Sequence, residues 1–152
     1  MLIRIDESRG LERIGPVRQV RFEVLRAPLG MGFEDTLFAG DQDPQTRHMV
    51  AYQDTEPIGC LTLMPPENRS GLADRVQLRG MAVLQAWQGH GVGRQLLDYV
   101  ARLAKAQGWE LWCNARDSAV PFYQSSGWCI VGDAFDISRI GPHFRMEWRS
   151  PR

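Results

Sequence analysis

Cysteine is scarce: the 152 residues hold three, Cys60, Cys113 and Cys129. No two form a Cys-x-x-Cys pair, which argues against a thiolate zinc site or a disulfide framework, so all three are read as reduced, small apolar residues and no metal is expected. Charge of one sign is also lacking, since eighteen Lys plus Arg offset eighteen Asp plus Glu. Without a net positive field, nothing draws the chain toward nucleic acid or an anionic membrane surface. No apolar run is long enough to span a bilayer, and Met1 to Asp6 carries no leader-like basic and apolar pattern; a cytoplasmic location is expected. Repeats, low-complexity tracts and obvious linkers are absent as well. With 43% hydrophobic and 24% charged residues, the expectation is one compact domain over residues 1–152.

The patterns that are present alternate between the periods of strand and helix. Leu2 to Ile5 reads as a short strand. Gly15-Pro16 opens a helix with Val17, Val20 and Val24 on one face and Arg18, Arg21 and Glu23 on the polar face. From Ala27 to Thr46 periodicity is lost, and a connection this long in a compact domain often belongs to a binding site. His48 to Tyr52 and Ile58 to Leu63 read as strands joined by a turn at Asp54-Thr55-Glu56-Pro57. Val76 to Val83 reads as a further strand, with Gly80 marking a bulge or close approach.

From Gly91 to Gln107, Val92, Leu96, Val100, Leu103 and Ala104 recur at helical spacing, with Arg94, Asp98, Arg102 and Lys105 facing the other way and Gly108 as the stop. Strands at Glu110 to Cys113, Cys129 to Phe135 and Phe144 to Trp148, with a short helix at Ala119 to Gln124, complete the order. The fold class is α/β of mixed α+β character.

Gln88-Gly89-His90-Gly91-Val92-Gly93-Arg94 lies between a strand and an amphipathic helix. Several backbone N–H groups there face outward near the positive end of the helix dipole, a cradle for a pyrophosphate that any Cβ would obstruct. Two familiar phosphate loops are excluded. Leu96 stands where a dinucleotide fingerprint has its third glycine, and no Gly-Lys-Ser/Thr follows.

Gln-x-x-Gly-x-Gly followed by Arg, after a Met-Ala-Val strand, resembles the pyrophosphate loop of the GNAT superfamily of acyl-CoA-dependent N-acetyltransferases. Asn114-Ala115-Arg116, Ala119, Phe122-Tyr123 and Gly127-Trp128 are similar to that family's cofactor-binding second half, and Ile140 to Met146 resembles the last strand of some small members. The resemblance covers Val76 to Trp148. It implies a central mixed, mostly antiparallel splayed sheet flanked by helices, with acetyl-CoA as co-substrate between splayed strands.

The same resemblance implies that Met81, Ala82 and Val83 hold the pantetheine arm, that Gln88, Gly89, His90, Gly91, Val92, Gly93 and Arg94 hold the pyrophosphate, and that Asn114 bonds the arm. Tyr123 falls at the position that protonates the departing thiolate. The amine of a small-molecule or peptide acceptor would attack the thioester directly, and pairing into a homodimer is in keeping with similar proteins.

Two departures from the family pattern bear on the chemistry. Arg116 stands nearest the place where many members have an Asn, with Asn114 slightly upstream. Many members also carry a Glu on the central strand as general base, whereas Val76 to Val83 contains no carboxylate. The base is therefore left open among His143, whose type of side chain can accept a proton at cytoplasmic pH and which starts the last strand after Gly141-Pro142, then His48, and then a carboxylate acting through water.

Each residue also has a plainer reading. Tyr123 is otherwise a core aromatic, His143 a packed or bonded histidine, Arg94 a surface residue of a first turn, and His90 a loop residue that matters through its backbone. Cys113, inside an apolar strand, is read as buried rather than as a nucleophile. Glu34, Asp35, Asp41 and Asp43 are read as solvated loop charges, the alternative being a lure for a cationic amine. Two other functions compete: a non-catalytic acyl-CoA-binding or sensing module of the same fold, and another nucleotide-binding enzyme built on the glycine loop.

Overall fold

The computed structural model describes residues 3–151. Eight strands and three α-helices follow one another as β1 (Arg4–Arg9), α1 (Gly15–Arg21), β2 (Arg47–Gln53), β3 (Glu56–Leu63), β4 (Arg75–Val83), α2 (Val92–Gln107), β5 (Glu110–Arg116), α3 (Val120–Ser125), β6 (Cys129–Ile130), β7 (Phe135–Ile137) and β8 (Gly141–Trp148). The hydrogen-bonded order is β1-β2-β3-β4-β5-β8-β6, with β7 also on β8. Among the described residues, only β4 and β5 run parallel and every other pair is antiparallel. This is the mixed, mostly antiparallel sheet with helices that the sequence implied.

Two compact units share the chain: one runs to Pro65 and takes in Leu78–Leu97, and the other takes Pro66–Gln77 and the residues from Asp98 onward. In the first unit, β3 is buried along nearly its whole length. The cause is cover on both faces, since successive strand side chains point opposite ways. Cys60 joins Val17, Val20, Val50 and Ala82 in a core beneath α1. A Cβ on the neighbouring Gly59 would meet Val92 and Leu96 of α2 at 3.1 and 3.2 Å. The α2 face expected from periodicity is the one buried, with Val92, Leu96, Val100 and Ala104 inside and Arg94, Asp98, Arg102 and Lys105 exposed.

Strand β4 carries the bulge anticipated at Gly80. The β3–β4 register jumps from Thr62↔Arg79 to Cys60↔Ala82, so Gly80 and Met81 together face Leu61. Gly80 has φ +61, and a Cβ there would lie 3.1 Å from the Phe38 ring and 3.2 Å from Arg21 Nε. Glycine is thus fixed by both backbone angle and space.

Beneath that bulge, the sequence reading of Arg21 as a residue of the polar face is overturned. Arg21 is 0% exposed. Its Nη1 donates to Asp41 Oδ2 at 2.7 Å and to the Thr36 carbonyl at 2.8 Å, while Nη2 donates to Asp41 Oδ1 at 3.1 Å and Thr62 Oγ1 at 2.8 Å. The guanidinium also stacks 3.9 Å from the Phe38 ring centroid. Periodicity places a residue on a face but says nothing of a partner twenty residues on.

The reading of the acidic loop residues as solvated charges fails for Asp41. Asp41 is the buried partner of Arg21 and also accepts the Phe38 N–H at 2.6 Å. Asp35 accepts the Gly32 N–H at 3.0 Å and Asp43 the Gln45 N–H at 2.8 Å, so both close local turns. Glu34 is exposed as expected.

In the second unit, the first three residues of β4 pair with Glu110–Trp112 of β5, and β5 pairs along its length with β8, from Leu111↔Trp148 to Arg116↔His143. Strand β5 is therefore longer than the four residues expected. The strand expected from Cys129 to Phe135 is instead two short pieces, β6 and β7: the Val131 N–H still bonds the Arg145 carbonyl at 2.9 Å, but Gly132 then turns at φ +84 and the chain leaves the ladder until Phe135. Cys129 is exposed, so only Cys60 and Cys113 fit the reading of apolar burial. The start also differs: Leu2 lies outside the described residues, and β1 continues to Arg9 because all six of its residues pair with β2.

Candidate functional site

The glycine segment forms the corner between β4 and α2. After Val83 the chain makes one tight turn through Gln85–Trp87, with the Trp87 N–H bonded to the Leu84 carbonyl at 2.8 Å. Gly89 and Gly91 then adopt φ +79 and +83, a region that side chains resist, and a Cβ on either would meet nothing within 4 Å. Backbone geometry, together with open space in front of the loop, therefore explains these two glycines. Segment 88–91 is exposed.

The first hydrogen bond of α2 runs from the Gln95 N–H to the Gly91 carbonyl at 3.0 Å. The N–H groups of Val92, Gly93 and Arg94 precede it and have no intrahelical acceptor, as at every helix start. The first turn holds no acidic residue to cap them. Arg94, exposed there, adds positive charge where the helix dipole is already positive, an arrangement that an anion would stabilise. The residues fit a pyrophosphate: open space, oriented donors and one cation, with no competing carboxylate.

Two details connect the loop to the strand. Gln88 Nε2 donates to the Val83 carbonyl at 3.0 Å, anchoring the loop to the end of β4. The His90 ring meets the Trp87 ring edge-on at 6.0 Å, on the exposed side of the turn. On β4 itself, Ala82 is buried, while Met81 and Val83 are half-buried.

The expected catalytic tyrosine lies in the second unit. Tyr123 is 5% exposed, with the Trp128 ring edge-on at 5.3 Å and its hydroxyl beside the Cys113 thiol. Burial first, and then the Cys113 thiol, pushes its pKa well above the usual phenol value, so the O–H keeps its proton at neutral pH. Burial also pushes the Cys113 thiol up to about 12. A thiol so rarely ionised is a poor nucleophile, which favours the buried reading of Cys113. Asn114, the next residue on β5, points the opposite way and is exposed, and Arg116 is half-buried.

The two histidines offered as bases both sit inside their units. His143 is 4% exposed, bonded through Nδ1 to the Gly141 carbonyl at 2.8 Å, with the Phe135 ring centroid 6.0 Å away. A carbonyl accepts only from N–H, so Nδ1 carries a proton in this bond and Nε2 is the ring nitrogen left for other partners. His48 is 0% exposed, and its Nδ1 lies 2.8 Å from Thr62 Oγ1. Burial first, opposed by the Asp41 charge and reinforced by Arg21, lowers its pKa below the usual 6.5.

Sequence reasoning missed a pocket at the end of β4, with Glu23, Val24, Leu84 and Gln88 in its wall. Its one legible signal was Glu23 itself, an acid in a helix otherwise rich in arginine. Among the described residues, no group of three or more His, Cys, Asp or Glu side chains could hold a metal ion, and no helix is long and apolar enough to cross a membrane.

The family described as "Acetyltransferase (GNAT) domain" matches residues 44–130, more than half of the chain, and this protein belongs to that family of acyltransferases. It is similar to the uncharacterized N-acetyltransferase YitI of Bacillus subtilis strain 168, with 28% identity over 130 residues covering 84% of this chain and 86% of the relative. Among solved structures it shares the fold of Escherichia coli ElaA, with a TM-score of 0.80 at 19% identity over 97% of this chain and 100% of that one. It also shares the fold of an aminoglycoside 6'-N-acetyltransferase complexed with coenzyme A, with a TM-score of 0.70 at 17% identity over 100% and 99% of the two chains.

Proposed function

We propose that this protein is a single-domain, cytoplasmic N-acetyltransferase, working alone or as a homodimer, that transfers an acetyl group from acetyl-CoA to a primary amine. The observation that carries the reading is the open glycine corner at the start of α2, where consecutive N–H groups and Arg94 converge with no acid among them. Gln88 to Arg94 hold the pyrophosphate through backbone donors. Met81, Ala82 and Val83 hold the pantetheine arm along β4, where the bulge at Gly80 interrupts the ladder with β3. Asn114, exposed on β5, bonds the arm from its side-chain amide.

Acetyl-CoA supplies an activated thioester carbonyl. Tyr123 donates its hydroxyl proton to the departing sulfur; an O–H that stays protonated at neutral pH suits that role. His143, through Nε2, is the leading base for the ammonium proton, with His48 and a water-relayed carboxylate behind it.

The test is release of free thiol from acetyl-CoA, followed over a broad panel of primary amines. Release that requires both an amine and the protein, with one amide formed per thiol, is the expected result. Tight acetyl-CoA binding with no release over the whole panel would replace this reading with that of a non-catalytic sensing module.

A further inference from the structure

Alpha-helix α1 does not simply end at Arg21. It continues into a π-helical turn, Phe22–Arg26, closed by the Ala27 N–H on the Phe22 carbonyl. Such turns insert a residue into the helical register and often mark functional positions. Here the turn carries Glu23 and Val24 into the wall of a pocket of about 650 Å³, alongside Pro28, Leu84 and the amides Gln85 and Gln88. That volume suits a small molecule.

Charge is sorted around this turn. Three arginines of the same segment are turned onto residues 33–41: Arg18 Nε donates to Thr36 Oγ1 at 2.9 Å, Arg21 is buried on Asp41, and Arg26 Nε donates to the Asp35 carbonyl at 3.0 Å. Glu23 is left as the only ionised side chain in the pocket wall, exposed and, among the described residues, without an ion-pair partner. The rest of the wall is apolar (Val24, Pro28, Leu84) or neutral amide. A carboxylate at the mouth of an apolar pocket selects a cation with an apolar stem and disfavours an anion.

We infer that this pocket binds the acceptor as a small primary ammonium with an apolar stem, with Glu23 as the counter-charge and Val24 and Leu84 as the seat of the stem. This rests on the acetyltransferase reading, and Gln88, shared by the pocket wall and the glycine corner, connects the two. Binding as a cation also gives direction to turnover. Acetylation removes the positive charge, so the amide product loses its attraction to Glu23.

The test uses the full chain without acetyl-CoA, its Val and Leu methyls labelled for NMR, titrated with n-hexylamine, 1-hexanol and N-hexylacetamide. Hexylamine should shift the Val24 and Leu84 methyls and bind roughly fivefold or more tightly than either neutral analogue, the scale of a partly exposed ion pair. Glu23→Gln, a change at an exposed position, should abolish that preference. Equal affinity for amine and alcohol, shifts confined to other methyls, no binding at all, or a Glu23→Gln protein that still prefers the amine would each overturn the inference. Amine binding that persists in a protein that does not bind acetyl-CoA would overturn the acetyltransferase reading alone.

Discussion

Asp41→Ala should cost about 3–5 kcal/mol of folding stability, because it removes one member of a buried ion pair and leaves the Arg21 charge without its counter-ion. For a chain of this size that is a fall in Tm of roughly 6–20 °C. The change also deprives the Phe38 N–H of its 2.6 Å acceptor and loosens the residue that stacks on Arg21. The double change Arg21→Met with Asp41→Leu should recover much of the loss, since no unpaired charge is left behind. Thermal and denaturant unfolding of the single and double variants checks this. An Asp41→Ala protein as stable as the parent would show that the pair contributes little.

The same network gives stability a pH dependence in two windows. Burial, the largest influence, keeps His48 neutral by lowering its pKa below 6.5. The folded state therefore takes up this proton less readily than the unfolded chain, and the contribution, complete above pH 6.5, is lost as pH falls through the folded pKa. Burial pushes the Asp41 carboxyl up, but the hydrogen bonds from Arg21 and the Phe38 N–H, with the Arg21 charge, outweigh it and leave the pKa below 3.8. Its contribution is present above pH 3.8 and is lost below that value. His48→Gln should flatten the upper window and leave the lower one in place.

Tyr123→Phe should lower kcat by roughly 10² or more with little change in acetyl-CoA affinity, the pattern expected when a positioned proton donor is removed. The ring contacts with Phe122 and Trp128, both at 5.3 Å, remain, so the fold should hold. The competing reading, a core aromatic whose hydroxyl serves only Cys113, predicts a small loss of stability and an unchanged kcat. Steady-state kinetics, with the chemical step shown to limit the rate, separates the two. Full turnover in Tyr123→Phe would make it a packing residue.

The parts of the fold legible in the sequence are those written in periodicity. The α2 stripe, the β2–β3 turn and the strand leading to the glycine corner follow from 3.6- and 2-residue patterns and from glycine placement. Gly80 was legible as a bulge because an isolated glycine in a strand has few other uses. What was not legible depends on distant partners. Arg21 reads as a surface residue until Asp41, Thr36 and Thr62 are brought around it, and β1 reads as shorter until β2 pairs with its charged second half. The break in the expected strand after Cys129 did leave a signal, Gly132-Asp133, a turn pair within the apolar run. The glycine corner was readable as a turn between strand and helix because it is local, seven residues that carry their own geometry. The base is not, since both histidines owe their surroundings to residues far along the chain.

The central claim is that this chain binds acetyl-CoA through the backbone of the glycine corner, and calorimetric titration of acetyl-CoA into the parent and Gly91→Asp proteins tests it most directly. At φ +83 and in open space, aspartate brings backbone strain and a negative charge to the place where the phosphates would lie. Circular dichroism should first show that the variant keeps the parent's fold. Saturable binding to the parent, abolished or weakened by roughly a hundredfold or more in the folded variant, is the predicted result. Equal affinity for acetyl-CoA in the two folded proteins would contradict the account.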